Sequence, residues 1–598
     1  MTTGQSDSSP GSPDPARLQV DLARLEELSR RLVAALGRRR PHDPGLDAPG
    51  QELFLKAALA WMSGALSSPA RLFGQQADYW SATLRSIALA GQAQEEGPDA
   101  AAEAPEDPRF ASPLWEQHPY FRMLKRQYQL NEKALEETVR GLEGLDERER
   151  RRLAFFSRQI MSMFNPANFL ATNPEALARA AETGGESLLR GLENLVRDLE
   201  ANDGELVVTL ADRNAFRVGG NLAVTEGEVV FRNRLLELIQ YAPATETVHR
   251  VPLVIFPPWI NKFYILDLRA QNSLVKWLVE RGYTLFMVSW VNPDESHAEV
   301  GLDDYVSEGY LKVLEVVREI TGEERPNVVG YCIAGTTLAL TLALLKKRGE
   351  RRVGSASFLT TLTDFSDPGE VGVFLADDFL GGIERQLRQE GILRALFMAR
   401  SFSFLRSTDL IYRPAIRSYL MGEPPPAFDL LYWNGDGANL PGRMALEYLH
   451  GLCRDNLFAK GAFPLLGERL SLRDVTVPLC AVACEGDHIA PWSACYDGFR
   501  QMGARSKSFI LSQSGHVAGI VNPPGRSRYG HYTNPDARLE HAAWRAGATF
   551  HEGSWWPRWE AWLKRRSGRM IPARKPGSVT YPPLCPAPGT YVLKQARG

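Results

Sequence analysis

Three side chains in the second half of the chain, Cys332, Asp487 and His516, have the types and the chain order that nucleophilic acyl chemistry requires. Cys332 lies in Val328-Val329-Gly330-Tyr331-Cys332-Ile333-Ala334-Gly335, where an apolar run ends in a Gly-x-Cys turn. A helix-forming segment, Thr336 to Lys346, follows at once. Strand, strained turn and helix make a nucleophile elbow, which lifts one reactive side chain to its tip. Serine is the usual nucleophile there. A cysteine thiolate exchanges readily with thioesters, so its presence points past ester hydrolysis toward acyl transfer through a covalent thioester. A cysteine in an apolar stretch is often only a small buried hydrophobe. The glycines at 330 and 335, placed between strand and helix, favour the elbow.

The other two residues sit after predicted strands. Val477–Cys484 reads as a strand, followed by the turn Glu485-Gly486-Asp487-His488. Ser506–Leu511 reads as the next strand, with Ser514-Gly515-His516 in the loop beyond it. His516 is expected to take the thiol proton, and Asp487 to accept the other imidazole N–H. His488 competes as base, but its position directly after the acid leaves too short a tether. An oxyanion site needs a backbone donor just after the nucleophile, at Ile333, and a second from the loop after an early strand. That strand is Val254–Phe256 and the loop is Pro257–Asn261. Its two prolines have no N–H, which leaves Trp259, Ile260 or Asn261, with Ile260 carried forward as the assignment.

The elements that must hold these residues begin after about Asn202. Short β-like runs alternate there with helical ones: Val251–Phe256, Leu268–Glu280, Thr284–Trp290, Tyr305–Ile320, Asn327–Tyr331, Leu338–Lys347 and Val353–Thr363. Such alternation predicts a parallel sheet with helices on both faces. The alternation stops over about 374–470, which reads as a cap inserted before the last strands. With the order nucleophile, acid, histidine, the fold class is α/β, an α/β-hydrolase fold with a cap. This catalytic domain is placed at 205–598. Before it, residues 1–16 read as a disordered tail and 17–204 as an all-helical domain, interrupted at about 92–107 by a flexible acidic linker. That region carries aromatic clusters at Trp61, Phe73, Tyr79 and Trp80, then at Trp115, Tyr120, Phe121 and Tyr128.

The whole chain sets outer limits. Its 598 residues suffice for more than one core, and a net charge of −2 gives no reason to expect a nucleic-acid partner. Six cysteines without a regular framework suit a reducing cytoplasm. Cys453, Cys480, Cys484 and Cys495 fit no zinc spacing, so no metal is expected. The N-terminus lacks a basic start and an apolar core, and no apolar run approaches a membrane span, so no signal peptide and no transmembrane segment are expected.

The elbow and several other peptides resemble the polyhydroxyalkanoate synthases, the single-subunit class I enzymes most closely. The family box is Gly-x-Cys-x-Gly-Gly; here Ala334 replaces one glycine. Phe256–Leu268 (FPPWINKFYILDL), Leu431–Pro441 (LYWNGDGANLP), Ser514–Pro524 (SGHVAGIVNPP) and Gly553–Trp559 (GSWWPRW) are similar to the family, as are Phe110–Tyr120 and Asn165–Glu175. The likeness runs from about Asp107 to the end. It implies Cys332, Asp487 and His516 as the catalytic residues and a (3R)-3-hydroxyacyl-CoA as substrate, typically 3-hydroxybutyryl-CoA. It also implies a polyester product with release of CoA, no separate cofactor, and a homodimer in the cytoplasm at the surface of polyester granules, with granule-coating proteins as further partners. The cap would shield the acyl-enzyme from water, and Trp433 would supply an apolar, substrate-binding surface near the site.

Overall fold

The computed structural model describes residues 15–38, Ser81, Thr83 and 107–596. The aromatic cluster at Trp61, Phe73, Tyr79 and Trp80, most of the assigned tail and nearly all of the assigned linker lie outside these residues. The first helix, α1 (Pro15–Leu36), begins inside the stretch read as tail. Further helices follow in the N-terminal third: α2 (Pro119–Arg140), α3 (Glu147–Met163) and α4 (Glu186–Ala201). A capping box starts α3, with the Asp146 carboxylate accepting from Glu149 N and the Glu149 carboxylate from Asp146 N.

Eleven strands form the main sheet: β1 (Gly227–Arg232), β2 (Leu236–Tyr241), β3 (Leu253–Phe256), β4 (Leu285–Trp290), β5 (Asn327–Tyr331), β6 (Ser355–Leu359), β7 (Leu479–Cys484), β8 (Lys507–Ser512), β9 (His531–Thr533), β10 (Thr549–His551) and β11 (Cys585–Pro586). Their spatial order is β10-β9-β8-β7-β6-β5-β3-β4-β2-β1-β11. The six strands from β8 to β4 are parallel. The flanks are antiparallel, with β2 on β4 at one side and β9 on β8 at the other. The sheet is therefore mixed, where the sequence pattern predicted a parallel one. The parallel strands read as apolar runs because both faces are buried. Toward the sides of the sheet, β1 and β9 mix buried with partly or fully exposed residues and the outermost β10 has no buried residue, so they leave a weaker signal.

Each face carries its own core. Val254, Phe256 and Val328 point to one face, and Leu253, Ile255 and Val329 to the other, as the two-residue period of a strand requires. Helix α5 (Lys312–Thr321) and helix α6 (Ile333–Lys347) pack on the first face. Every residue of α6 from Ala334 to Leu345 is buried, so the helix is apolar all round. Cap residues Phe463, Leu465, Leu470 and Leu472 share this core with it.

Between β6 and β7 the chain leaves the sheet for residues 360–478, a longer excursion than 374–470. It contains α7 (Asp377–Glu390), α8 (Ala395–Leu405) and α9 (Asp429–Asn434). The N-terminal helices lie against this cap. Asn194 Nδ2 on α4 donates to the Ser418 and Glu423 carbonyls at 3.1 and 3.2 Å, and Tyr419 Oη donates to Asp198 at 2.8 Å. Phe155 on α3 is buried with Val373 and Leu405 of the cap. Arg151, Arg152 and Arg158 pair with Asp367, Asp378 and Glu370. Helix α10 (Trp492–Gln501) follows β7, and α11 (Trp556–Lys564) brings Trp555, Trp556, Trp559 and Trp562 into the second core.

Candidate active site

Cys332 occupies the single residue between β5 and α6, with φ +54° and ψ −127°. A non-glycine residue holds such a backbone only where its surroundings over-determine it, at a cost of about 1–3 kcal/mol. Here the Cys332 N–H donates to Leu359 O at 2.8 Å, while its carbonyl accepts from Gly335 N at 2.9 Å and Thr336 N at 3.3 Å. The turn is tight enough to need two glycines. A Cβ on Gly330 would fall 2.5 Å from Gly335 Cα, and a Cβ on Gly335 would fall 2.1 Å from Thr361 Oγ1. Ala334 needs no such relief. It is fully buried at the start of α6, and its carbonyl accepts from Tyr310 Oη at 2.7 Å.

Asp487 and His516 come from the ends of β7 and β8 and meet beside the elbow. His516 Nδ1 lies 2.6 Å from Asp487 Oδ2, and both side chains are buried. Asp487 Oδ1 accepts from Ile489 N and Ala490 N at 2.8 and 2.9 Å, which leaves Oδ2 for the imidazole. The two loops are tied together by Gly486 N donating to Ser514 O at 2.8 Å. Burial works to lower the His516 pKa. The Asp487 carboxylate and the Cys332 sulfur outweigh it, by charge and by hydrogen bond, and hold it well above the ordinary imidazole value. The nucleophile candidate, the base candidate and the acid thus form one electrostatic unit.

Tyr331 belongs to this unit as well, and the sequence reading passed over it. Its ring stacks on His516 with centroids 5.9 Å apart, and its hydroxyl donates to His516 O at 3.3 Å. Its place between Gly330 and Cys332 was the available signal.

His488 is held differently. Its Nδ1 is buried and has no hydrogen-bond partner among the described residues. Burial, with Arg406 and His516 nearby, pushes its pKa down to about 4 against the pull of Asp487 and Asp409. The carboxylate it follows in sequence is turned toward His516.

The chain matches known proteins over nearly its whole length. Residues 106–278 match the family described as the N-terminus of poly-beta-hydroxybutyrate polymerase (PhaC), and residues 252–523 match the alpha/beta hydrolase fold. The chain is 40% identical to a poly(3-hydroxyalkanoate) polymerase of Methylorubrum extorquens, covering 99% of this chain and 100% of that one. It is 38% identical to the PhaC polymerase subunit of Rhizobium meliloti (strain 1021), over 98% of this chain and 96% of that one. With the corresponding subunit of Cupriavidus necator it shares 39% identity, over 92% and 91%. The chain belongs to the poly(3-hydroxyalkanoate) polymerases. It is an enzyme that makes polyester on an α/β-hydrolase fold.

Around the elbow of this polymerase, Ile333 is the first residue of α6, where N–H groups have no partner within the helix. Ile260 lies in the loop after β3, 7% exposed, with its carbonyl accepting from Ala438 N at 3.0 Å. Trp259 and Asn261 flank it; the Trp259 indole is buried and donates to Thr337 Oγ1 at 3.4 Å. Trp433 is in the core, 5% exposed, and its indole N–H donates to Lys262 O at 2.7 Å. It shares a cluster with Tyr331 and Leu359, against which Cys332 packs. Cys453, Cys480, Cys484 and Cys495 are free thiols, all buried. No helix among the described residues is long and apolar enough to cross a membrane.

Proposed function

We propose that the chain transfers (3R)-hydroxyacyl groups from a hydroxyacyl-CoA to a growing polyester through a thioester on Cys332, releasing CoA. The observation that supports this best is the strained Cys332 elbow beside a histidine bound to a buried carboxylate. His516 takes the proton of the Cys332 thiol while Asp487 holds the Nδ1–H. The sulfur attacks the thioester carbonyl, and the oxyanion is met by the Ile333 and Ile260 N–H groups. The bond to the CoA sulfur breaks, and that sulfur leaves with the proton from His516. The 3-hydroxyl of a chain end or of a second monomer then attacks the acyl-enzyme. Its proton passes to His516, the ester C–O bond forms and the Cys332 C–S bond breaks. Exchange of a thioester for an oxyester is downhill, so the reaction needs no nucleotide and no other cofactor.

The cap over the elbow keeps water from the acyl-enzyme, with Trp433 as part of the apolar surroundings. The enzyme works in the cytoplasm as a homodimer at the surface of its product granule, with the helical region before residue 205 as the attachment module. A thioesterase on the same fold is the competing reading. Incubation with (3R)-3-hydroxybutyryl-CoA, following CoA release and insoluble product together, separates the two: polymerisation gives both, hydrolysis gives CoA and soluble acid. Cys332→Ala is expected to abolish both signals. A tenth of wild-type turnover in that variant would remove Cys332 as the nucleophile.

A further inference from the structure

The loop from Pro257 to Lys262 is fixed by donors reaching it from two sides. Pro257 O accepts from the Trp290 indole at 2.8 Å, Ile260 O from Ala438 N at 3.0 Å, and Lys262 O from the Trp433 indole at 2.7 Å. The peptide unit carrying the Ile260 N–H therefore lies between fixed points. Two of the three donors come from one short cap segment, Trp433 to Ala438. The same segment supplies a buried charge. Lys262 Nζ lies 2.8 Å from Asp436 Oδ1, with side chains 6% and 14% exposed. Tyr264 Oη donates to Asp436 Oδ2 at 2.8 Å, so each carboxylate oxygen has a donor. An ion pair this dry is weak evidence for stability, yet removing one partner leaves the other charge buried and uncompensated. Such a pair sets position: the loop cannot leave the cap segment without stranding Lys262.

We propose that Asp436 is a positioning residue for acyl transfer, which through Lys262 fixes the loop bearing the Ile260 N–H, so that the oxyanion site is complete only with the cap seated. This rests on the reading of Cys332 as nucleophile and Ile260 N–H as oxyanion donor. The consequence is a separation between two reactions of one sulfur. Attack on a thioester needs the oxyanion donors. Displacement of iodide from iodoacetamide forms a C–S bond at a saturated carbon and needs none.

The test compares CoA release from (3R)-3-hydroxybutyryl-CoA with iodoacetamide alkylation of Cys332 in the full-length enzyme. In Asp436→Asn, CoA release is expected to fall at least about tenfold, carried by kcat, as misplacement of a reacting group by about 1 Å suffices for such a loss. Alkylation is expected to stay within about twofold of wild type, which a general loosening of the fold would not allow. Tyr264→Phe keeps the ion pair and removes one hydrogen bond, so it should lower CoA release by a smaller factor, again without slowing alkylation. If Asp436→Asn does not fold, Tyr264→Phe alone decides. Parallel loss of both reactions, or unchanged CoA release, overturns the proposal. Failure of the underlying reading shows elsewhere, as CoA release that survives Cys332→Ala.

Discussion

His516 and His488 are both near Asp487, yet one accepts a proton easily and the other resists it. The difference is the carboxylate oxygen that His516 receives and His488 does not. His516→Gln is therefore expected to lose polymerisation almost entirely, while His488→Gln keeps at least about a third of it; CoA release measures both. Equal losses would leave the base unassigned. His488 also makes a pH prediction. Its folded pKa of about 4 lies below the value of roughly 6.5 expected in an unfolded chain. As the pH falls from 6.5 toward 4, the unfolded chain takes up a proton that the folded one refuses, and stability is lost. The gap corresponds to roughly 3 kcal/mol at and below pH 4. Replacing His488 with Gln removes this term. Urea unfolding of the variant should show a gain relative to wild type at pH 4.5 that is absent at pH 7.5. An equal difference at both values would mean that the depressed pKa is not there.

At the scale of elements, the elbow explains which glycines of the family box this chain can do without. Gly330 and Gly335 face each other and Thr361 at distances that exclude a Cβ, while residue 334 lies in the first turn of α6 with ordinary helical backbone. Gly335→Ala should abolish activity and lower the melting temperature by several degrees. Ala334→Gly should fold and retain activity, losing about 1 kcal/mol of helix stability. A tolerated Gly335→Ala would show that the turn is looser than described. The same contrast shows what the sequence could reveal. Strand, Gly-x-Cys and helix are contiguous, so local pattern placed the elbow; β5 was read with its observed limits, and β7 and β8 within two residues. The acid and histidine followed because chain order in this fold constrains them. The hairpin of β1 and β2 went unread, although β2 is buried throughout, and so did the short edge strands, which alternate weakly. The Lys262–Asp436 pair joins residues 174 positions apart by three-dimensional proximity alone. No spacing rule reaches across the cap, so neither this pair nor the Trp433 indole bond to Lys262 O is legible in the sequence.

At the scale of the molecule, the described N-terminal helices pack on the cap, and one of the clusters they share with it reaches the loop that holds Asp487. Phe155 of α3 packs with Val373 and Leu405, and Ile489, whose N–H holds Asp487, lies against the same cluster. Helix α4 meets the cap turn at Ser418–Tyr419, and Glu205, just past α4, pairs with Arg400 on α8 at 3.0 Å. The triad itself is held by the central parallel strands and by bonds among Leu359, Gly486, Ser514, Ile489 and Ala490, all after residue 205. Removing residues 1–204 therefore uncovers apolar cap surface but leaves the elbow its own supports. A protein beginning at Glu205 is expected to keep Cys332 alkylation within severalfold of the full chain. Its polymer yield should fall at least about tenfold, because the cap loses the helices that cover it and, on the proposed function, the enzyme loses its hold on the granule. Two measurements check this, iodoacetamide labelling of Cys332 and the fraction of enzyme sedimenting with polymer granules. Loss of labelling would mean that the helices hold the triad through Ile489 and that 204/205 is no boundary. Undiminished sedimentation would place the granule contact in the sheet domain or the cap.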